Sequence, residues 1–246
     1  MNAMPRRGLL FAVRLLVLLL ALLAAGCAQP DGERQGQTTV TLLTYQEQEA
    51  GVEPYPLRVL VNERFLRFDD GYDASDYMLM ERDTGTIYSV SHEDQTILVI
   101  SGYPAVAAAP QEIVLTEERD IDTAAPEIAG VRPEYIRFLA SGTVCYHAVV
   151  APGLLEQARL ALAEYATALA NRQFSDMATV PEDMQTPCFL SRYVYAPARH
   201  LHYGLPISEW DESGYHRTLL DFKEGERVAA DLFVLPEHYE RYRPGG

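Results

Sequence analysis

Two histidines, His200 and His202, stand two positions apart and have the spacing of a metal-ligand pair. In an extended segment such residues share one face, and two imidazoles placed in this way can ligate zinc. A third ligand is not identifiable in the sequence, and the following Tyr203-Gly204 is typical of a loop. We therefore interpret the pair as loop histidines, exposed or partly buried, with zinc binding as the alternative.

Four aspartates, Asp69, Asp70, Asp73 and Asp76, gather in one short segment. Calcium prefers such oxygen ligands. The spacing does not match an EF-hand, which places its acidic ligands on alternate positions before a glycine. The segment is interpreted as a solvated turn between strands, with a calcium site as the alternative.

The sequence offers no arrangement typical of nucleophilic catalysis. It has no serine in a G-x-S-x-G elbow and no cysteine with a plausible histidine partner. The fifteen tyrosines fit strand positions, although some of them could line a pocket. We predict a non-enzymatic protein with no catalytic residue, no metal and no cofactor, and keep a hydrolase with dispersed catalytic residues as an alternative.

The chain begins with a segment typical of a secretory signal peptide. Arg6 and Arg7 precede an apolar stretch from Gly8 to Ala25, which ends in small residues. The apolar run after Arg14 is much shorter than the roughly 20 residues that a spanning helix needs. A charged residue inside a span would also cost about 3 kcal/mol. We predict a signal peptide over residues 1–26, with a permanent transmembrane anchor as the alternative.

The string LAAGC around Cys27 resembles the lipobox of bacterial lipoproteins. Cys27 matches the cysteine that takes the diacylglycerol, while Ala24 stands where that family prefers leucine, and Leu23 lies one position further back. Ala28 follows the cysteine in place of the aspartate that favours inner-membrane retention in Gram-negative lipoproteins. The resemblance implies cleavage before Cys27, a lipid anchor on this residue and, in a Gram-negative source, delivery to the outer membrane facing the periplasm.

The mature chain is strongly acidic. Without the three arginines of residues 1–26 it has 17 basic and 35 acidic residues, a net charge of −18. Such a surface repels nucleic acid, so we expect no nucleic-acid partner. Residues 27–37 are polar and rich in Gln and Gly, which is typical of a flexible tether.

Two cysteines, Cys145 and Cys188, remain once Cys27 is assigned to lipid. In an oxidising compartment they form a single pair, and we predict a disulfide between them. Two separate buried thiols are the alternative.

Residues 38–246 are predicted as a single β-rich domain with one inserted helix. Short apolar segments separated by turns predict an antiparallel meander, because parallel strands need longer crossovers. Apolar residues at helical spacing predict the helix over about 154–171, packed by its apolar face on the sheet. The fold class is therefore α+β, with a predominantly antiparallel sheet. Strands are predicted at Thr38–Tyr45, Leu57–Phe68, Tyr77–Arg82, Thr86–Val90, Thr96–Ile100, Glu112–Glu118, Phe189–Tyr195, Leu205–Trp210, Tyr215–Phe222 and Arg227–Leu235.

The order of these elements resembles the half-barrel folds of lipoproteins and lipoprotein carriers of the LolA, LolB and LppX type. The hairpins of Tyr77 to Ile100 and the closing strands from Gly204 to Pro236 carry the resemblance. It implies a curved sheet around an apolar cavity that holds a lipid or another apolar ligand. The alternative is an envelope interaction or assembly lipoprotein, which recruits a protein partner without a cavity. An apolar pocket between the helix and the sheet distinguishes the two hypotheses.

Overall fold

A single sheet of twelve strands dominates the computed structural model, which describes residues 36–72, 75–106 and 108–243. The fold is α+β and the sheet is predominantly antiparallel and open, as the sequence predicts. The strands are β1 (Gln37–Gln48), β2 (Tyr55–Val61), β3 (Phe65–Asp69), β4 (Tyr77–Glu81), β5 (Thr86–Ser91), β6 (Thr96–Ile100), β7 (Leu115–Asp120), β8 (Glu134–Ala140), β9 (Thr143–Ala151), β10 (Leu205–Trp210), β11 (His216–Ala229) and β12 (Glu240–Tyr242).

The sheet consists of two antiparallel meanders, β1 to β6 and β7 to β11. They join where β1 lies beside β11, so the strand order is β12-β6-β5-β4-β3-β2-β1-β11-β10-β9-β8-β7. The short β12 pairs with β6 in parallel. This parallel strand was not predicted, and β7 and β12 are the two edges of the sheet.

Both faces of the first meander are covered, as the apolar run Tyr77–Met80 in β4 shows. Tyr77 and Leu79 face one side, where they pack with Phe233 near the C-terminus. Met78 and Met80 face the other side, where the long helix, Glu156–Ser175, covers the sheet. A strand buried on both faces has no polar alternation, because every position is an interior position.

The long helix begins and ends later than the predicted 154–171. Leu155 has a left-handed backbone with φ of 46°, so regular helical geometry begins only at Glu156. At the other end the helix continues to Ser175, beyond its apolar stripe. Arg172 there pairs with Asp176 at 3.0 Å, one turn further on, and stabilises the polar last turn.

The predicted strand from Leu57 to Phe68 is wrong as a single element, because the chain turns at Asn62. The side-chain oxygen of Asn62 accepts hydrogen bonds from the backbone N–H groups of Arg64 (2.9 Å) and Phe65 (2.8 Å). This local side-chain bonding is typical of asparagine in turns. The segment therefore forms the hairpin of β2 and β3.

Strands β8 and β9 were missing from the sequence prediction, and they form a hairpin closed by Ser141-Gly142. Both turn residues have positive φ, 49° and 81°, as a tight two-residue turn with the twist of a hairpin requires. The strand predicted at Glu112–Glu118 lies at β7, slightly later in the chain.

The predicted strand Phe189–Tyr195 is wrong, because this segment is helical. Pro187 stands at the start of a short helix, Pro187–Leu190, and the side chain of Thr186 caps it by accepting a hydrogen bond from the N–H of Phe189. These are helix-start signals, and they outweigh the apolar content of the segment. A π-helical turn, Ser191–Tyr195, follows directly.

The predicted last strand, Arg227–Leu235, is wrong as a separate element, because only Arg227–Ala229 is extended and it is the end of β11. β11 runs without a break from His216 to Ala229, through the Lys223–Glu226 segment that separates the two predicted strands. A 3₁₀ turn at Ala230–Phe233 then places Phe233 against the first meander. The chain continues beyond Pro236 to β12.

Candidate ligand-binding site

The predicted signal peptide, the predicted lipidation site Cys27 and nearly all of the predicted tether 27–37 lie outside the described residues. Lipidation of Cys27 therefore stays a prediction. Within the described ranges, no helix is both long enough and apolar enough to cross a membrane.

Cys145 and Cys188 form a disulfide, the pair that the cysteine count selects. Cys145 lies in β9, and Cys188 lies in the short helix Pro187–Leu190. The bond ties this helix, and the π-helical turn that continues it, to the second meander. The disulfide therefore fixes a segment that contributes Arg192 and Tyr193 to the cleft described below.

The histidine pair does not have the geometry of a metal site. His200 and His202 lie in a 3₁₀ turn, in which residues two positions apart point to different sides. His200 is buried with its Nε2 2.9 Å from a carboxylate oxygen of Glu209, whereas His202 is exposed. The interpretation of two exposed or partly buried loop histidines therefore holds for His202 only.

The aspartates of the acidic segment serve separate structural roles. Asp69 is buried and accepts hydrogen bonds from Arg58 and Arg67, and Asp76 accepts one from the backbone N–H of His92 at 2.7 Å. Asp70 accepts a bond within the turn, and Asp73 lies outside the described residues. No cluster of three or more His, Cys, Asp or Glu side chains suited to a metal ion occurs in the part of the chain that the structure describes.

A cleft of about 520 Å³ lies beside the second half of the long helix, and we call it the helix–sheet cleft. Its other walls are strands of the sheet and the chain between the π-helical turn and β10. The first turns of the helix are closely packed, since Ala158 and Ala161 are fully buried in the core beneath it. The helix thus closes the sheet at one end and borders an open cleft at the other.

Apolar side chains form one wall of the cleft. The helix contributes Tyr165, Ala166 and Leu169, and the sheet contributes Phe68 and Ile100. The ring centres of Phe68 on the sheet and Tyr165 on the helix lie 4.6 Å apart, so this ring contact connects the helix to the sheet. This wall suits an apolar ligand.

Glu209, Arg217 and His200 form the polar wall of the cleft. Glu209 of β10 and Arg217 of β11 are register partners, and Arg217 donates a hydrogen bond to Oε2 of Glu209. His200 holds the second oxygen, Oε1, so both carboxylate oxygens are engaged. Glu209 is only 3% exposed. Its burial requires this double pairing, because an unpaired buried charge is costly.

The electrostatics of this wall keep Glu209 ionised. Burial alone would raise the pKa of its carboxyl, but the charges and hydrogen bonds of Arg217 and His200 hold this pKa far below its ordinary value. Burial would likewise lower the pKa of Arg217, and the negative charge of Glu209 raises it well above its usual range. Both side chains are therefore charged at every physiological pH.

A second ion pair stands at the rim of the cleft, where Arg192 of the π-helical turn pairs with Asp211. The Arg192 guanidinium also lies 5.0 Å from the ring centres of Tyr146 and Tyr215. Burial raises the pKa of both tyrosines, so their hydroxyls stay protonated. The tyrosines thus have the two roles considered from the sequence, since Tyr165, Tyr193 and Tyr215 line the cleft while Tyr45 and Tyr146 lie in the core.

The polar wall was missed in the sequence, although one signal for it exists. Arg217 and Leu219 stand two positions apart in β11 and therefore lie on the same face of the strand. Leu219 packs into the apolar core next to the helix. A charged residue on an apolar strand face needs a partner, and the facing residue of the neighbouring strand is the first candidate. Glu209 could not be identified in this way without the register of β10 and β11.

Comparisons with known proteins leave the site without an assignment. No family model and no curated protein match the chain. A solved structure of an uncharacterized conserved protein from Thermus thermophilus is similar at 10% identity, with a TM-score of 0.42 over 83% of this chain and 90% of that chain. PNGF-II is similar at 8% identity in two crystal forms, with TM-scores of 0.38 and 0.39. The matches span 84% of this chain and only 31% and 32% of PNGF-II. These similarities are too low to carry an argument.

Proposed function

We propose that this protein is a lipid-anchored envelope protein of non-enzymatic type, whose helix–sheet cleft binds a lipid or another apolar ligand. The observation that carries the proposal is the cleft itself. Its volume of about 520 Å³ lies within the roughly 300–1,000 Å³ of small-molecule sites. Such sites combine a largely apolar lining with a few placed polar groups, and this cleft has both.

The proposed anchor and location rest on the sequence around Cys27. Two or three acyl chains on one residue suffice for stable anchoring, since each buried methylene contributes roughly 0.8 kcal/mol. The folded domain then does not have to bind the membrane itself, and its cleft is available to bind a ligand. We propose the outer membrane, facing the periplasm, as its place.

The open half of the helix favours a ligand over a purely partner-binding role. A sheet face that only recruits a protein needs no gap beneath its helix. Here Tyr165 and Leu169 line a cleft, whereas Ala158 and Ala161 earlier in the same helix are fully buried in the core. Recruitment of an envelope protein without a ligand is the alternative that the following experiment tests.

The test is native mass spectrometry of the full-length protein released from detergent micelles, followed by extraction and identification of bound lipid. We expect a lipid adduct in addition to the covalent anchor. Ala166→Trp places a large ring in the cleft and should abolish the adduct. Thr167→Trp is the matched control, because the neighbouring Thr167 is exposed and lies outside the cleft lining.

Two results would contradict the proposal. The first is a wild-type protein without any adduct, which would favour the partner-binding hypothesis. The second is an adduct that both tryptophan variants retain equally, which would place the lipid elsewhere. Thermal unfolding of the two variants verifies that each of them is folded.

A further inference from the structure

A second cavity borders the same half of the long helix, and we call it the second chamber. Its volume is about 400 Å³. Much of its lining is apolar and comes from the segment before β7, from β7 itself and from the π-helical turn, at Ala105, Val106, Leu115 and Val194. The chamber is therefore an apolar space in addition to the helix–sheet cleft.

The cleft and the second chamber lie on adjoining faces of the helix. Tyr165 and Leu169 line the cleft, whereas Thr167 and Asn171 line the chamber. At 3.6 residues per turn, these two pairs point to different sides of the helix, and Ala170 lies between them. Ala170 accordingly lines both spaces.

The two spaces adjoin at a closed contact between the helix and the chain after the π-helical turn. Ala170 of the helix and Pro197 of this chain line both spaces. Ala170 is only 2% exposed, and the rings of Phe174 and Tyr195, one helical turn further on, lie 6.1 Å apart. The contact is therefore a partition between the spaces, and a single unbranched chain can fill only one of them.

The polar groups of the second chamber have partners within the protein. Arg199 donates a hydrogen bond to the carbonyl oxygen of Leu139 at 3.0 Å and forms an ion pair with Glu117. The side-chain oxygen of Asn171 accepts a hydrogen bond from the backbone N–H of Val106 at 3.1 Å, which ties the segment before β7 to the helix. The chamber thus offers a ligand mainly apolar surface.

We propose that the ligand is a lipid with two hydrocarbon chains, one in the helix–sheet cleft and one in the second chamber, astride the contact of Ala170 and Pro197. This inference rests on the proposed function and names its ligand class. Two apolar spaces on either side of a closed contact fit a branched ligand, because each chain removes apolar surface from water on its own side. A lipid with one chain leaves one of these surfaces in water.

The test uses two photoreactive glycerophospholipids with the same head group. One has a diazirine at the end of each of its two 16-carbon chains, and the other is the lyso form with one such chain. Membranes containing the full-length protein are irradiated with each probe, and the labelled peptides are identified by mass spectrometry. We expect one molecule of the two-chain probe to join the peptide of Phe68, in the cleft, to a peptide that carries Val106 or Leu115.

The wild-type protein alone separates the possible outcomes. Labelling of the Phe68 peptide without any joined product would overturn the inference and leave the proposed function standing, because one chain would then occupy the cleft alone. Labelling of both regions by separate lipid molecules only would overturn it in the same way. Labelling of neither region would remove the proposed function as well.

A variant of the second chamber tests its assignment. Leu115→Trp, at the first residue of β7, places a large ring in the chamber and leaves the cleft lining unchanged. We expect loss of the joined product, while the lyso probe still labels the Phe68 peptide. Val114→Trp is the matched control, since Val114 is 56% exposed and lines neither space, and it should behave as wild type. A Leu115→Trp protein that is folded by thermal unfolding and retains the joined product would contradict the assignment.

The lipid adduct of the native mass spectrometry experiment gives an independent measurement. The wild-type adduct should have the mass of a two-chain lipid, and a one-chain mass would overturn the inference. Thr167 borders the second chamber but not the cleft. Thr167→Trp should therefore retain an adduct with the mass of a one-chain lipid, and a two-chain adduct in this variant would contradict the position of the second chain.

Discussion

Asp69, the last residue of β3, shows at the scale of one residue how a buried carboxylate takes a structural role. Nε of Arg58 lies 2.6 Å from its carboxylate, which also accepts hydrogen bonds from Arg67 and from the backbone N–H of Gly71. Burial alone would raise the pKa of Asp69, but the two arginines hold it below its ordinary value. The carboxylate therefore stabilises the folded state as long as it is ionised.

The variant Asp69→Asn should lower the free energy of unfolding by about 3–5 kcal/mol at neutral pH, because it leaves buried arginine charge without its counter-charge. The folded-state pKa is depressed, so this stabilisation is present above the unfolded pKa of about 4 and is lost as pH falls through the folded value. Denaturant titrations between neutral and acidic pH should show the difference between wild type and variant shrinking below about pH 4.

Asp70→Asn is the control for this prediction. Asp70 accepts a bond from the N–H of Tyr72 within the turn, and an asparagine oxygen can accept the same bond. Its stability should stay close to wild type. A constant difference between Asp69→Asn and wild type at all pH values would show that Asp69 does not titrate in the way described.

The helical segment from Pro187 to Tyr195 shows how elements are fixed around the cleft. The disulfide at Cys188 ties it to β9, while Arg192 ties it to Asp211 beyond β10. Helix-start signals at Thr186 and Pro187 could have identified it in the sequence, yet its apolar residues favoured a strand. The segment's role as a cleft wall depends on tertiary contacts, which no local pattern contains.

The double variant Cys145→Ala with Cys188→Ala should lower the free energy of unfolding by up to about 4 kcal/mol, because the unfolded chain regains the freedom of a loop closed at a separation of 43 residues. Denaturant unfolding of the oxidised proteins gives the measurement. Reduction of the wild type should reproduce the loss and leave the double variant unchanged. Equal stability of oxidised wild type and double variant would contradict the prediction.

For the whole molecule, the fold class and most of the first meander could be predicted from the sequence, because alternating apolar runs and turns are local features. The position of β11 beside β1, the parallel β12 and the cover over the first meander by Phe233 depend on contacts between distant residues. The cleft could be anticipated only as a gap between helix and sheet. Its Glu209–Arg217–His200 wall could not, since it combines two strands and a 3₁₀ turn.

The anchor is the prediction that concerns the molecule as a whole. Cys27→Ser removes the thiol that takes the lipid, so we expect an unprocessed protein that is not labelled by radioactive palmitate. Membrane fractionation with metabolic labelling is the measurement, and Cys188→Ala is a control that should keep the label. A Cys27→Ser protein that is still cleaved and membrane-bound would disprove the lipoprotein assignment.

The two edges of the open sheet differ in a way that limits growth of the sheet from one molecule into the next. One edge is the three-residue β12, which is too short to serve as a template for a neighbour. The other edge, β7, has Glu117, Glu118, Arg119 and Asp120 in succession. Two copies meeting there would have to desolvate these charges. The chain can therefore be crowded on a surface at high density without polymerising through its strands.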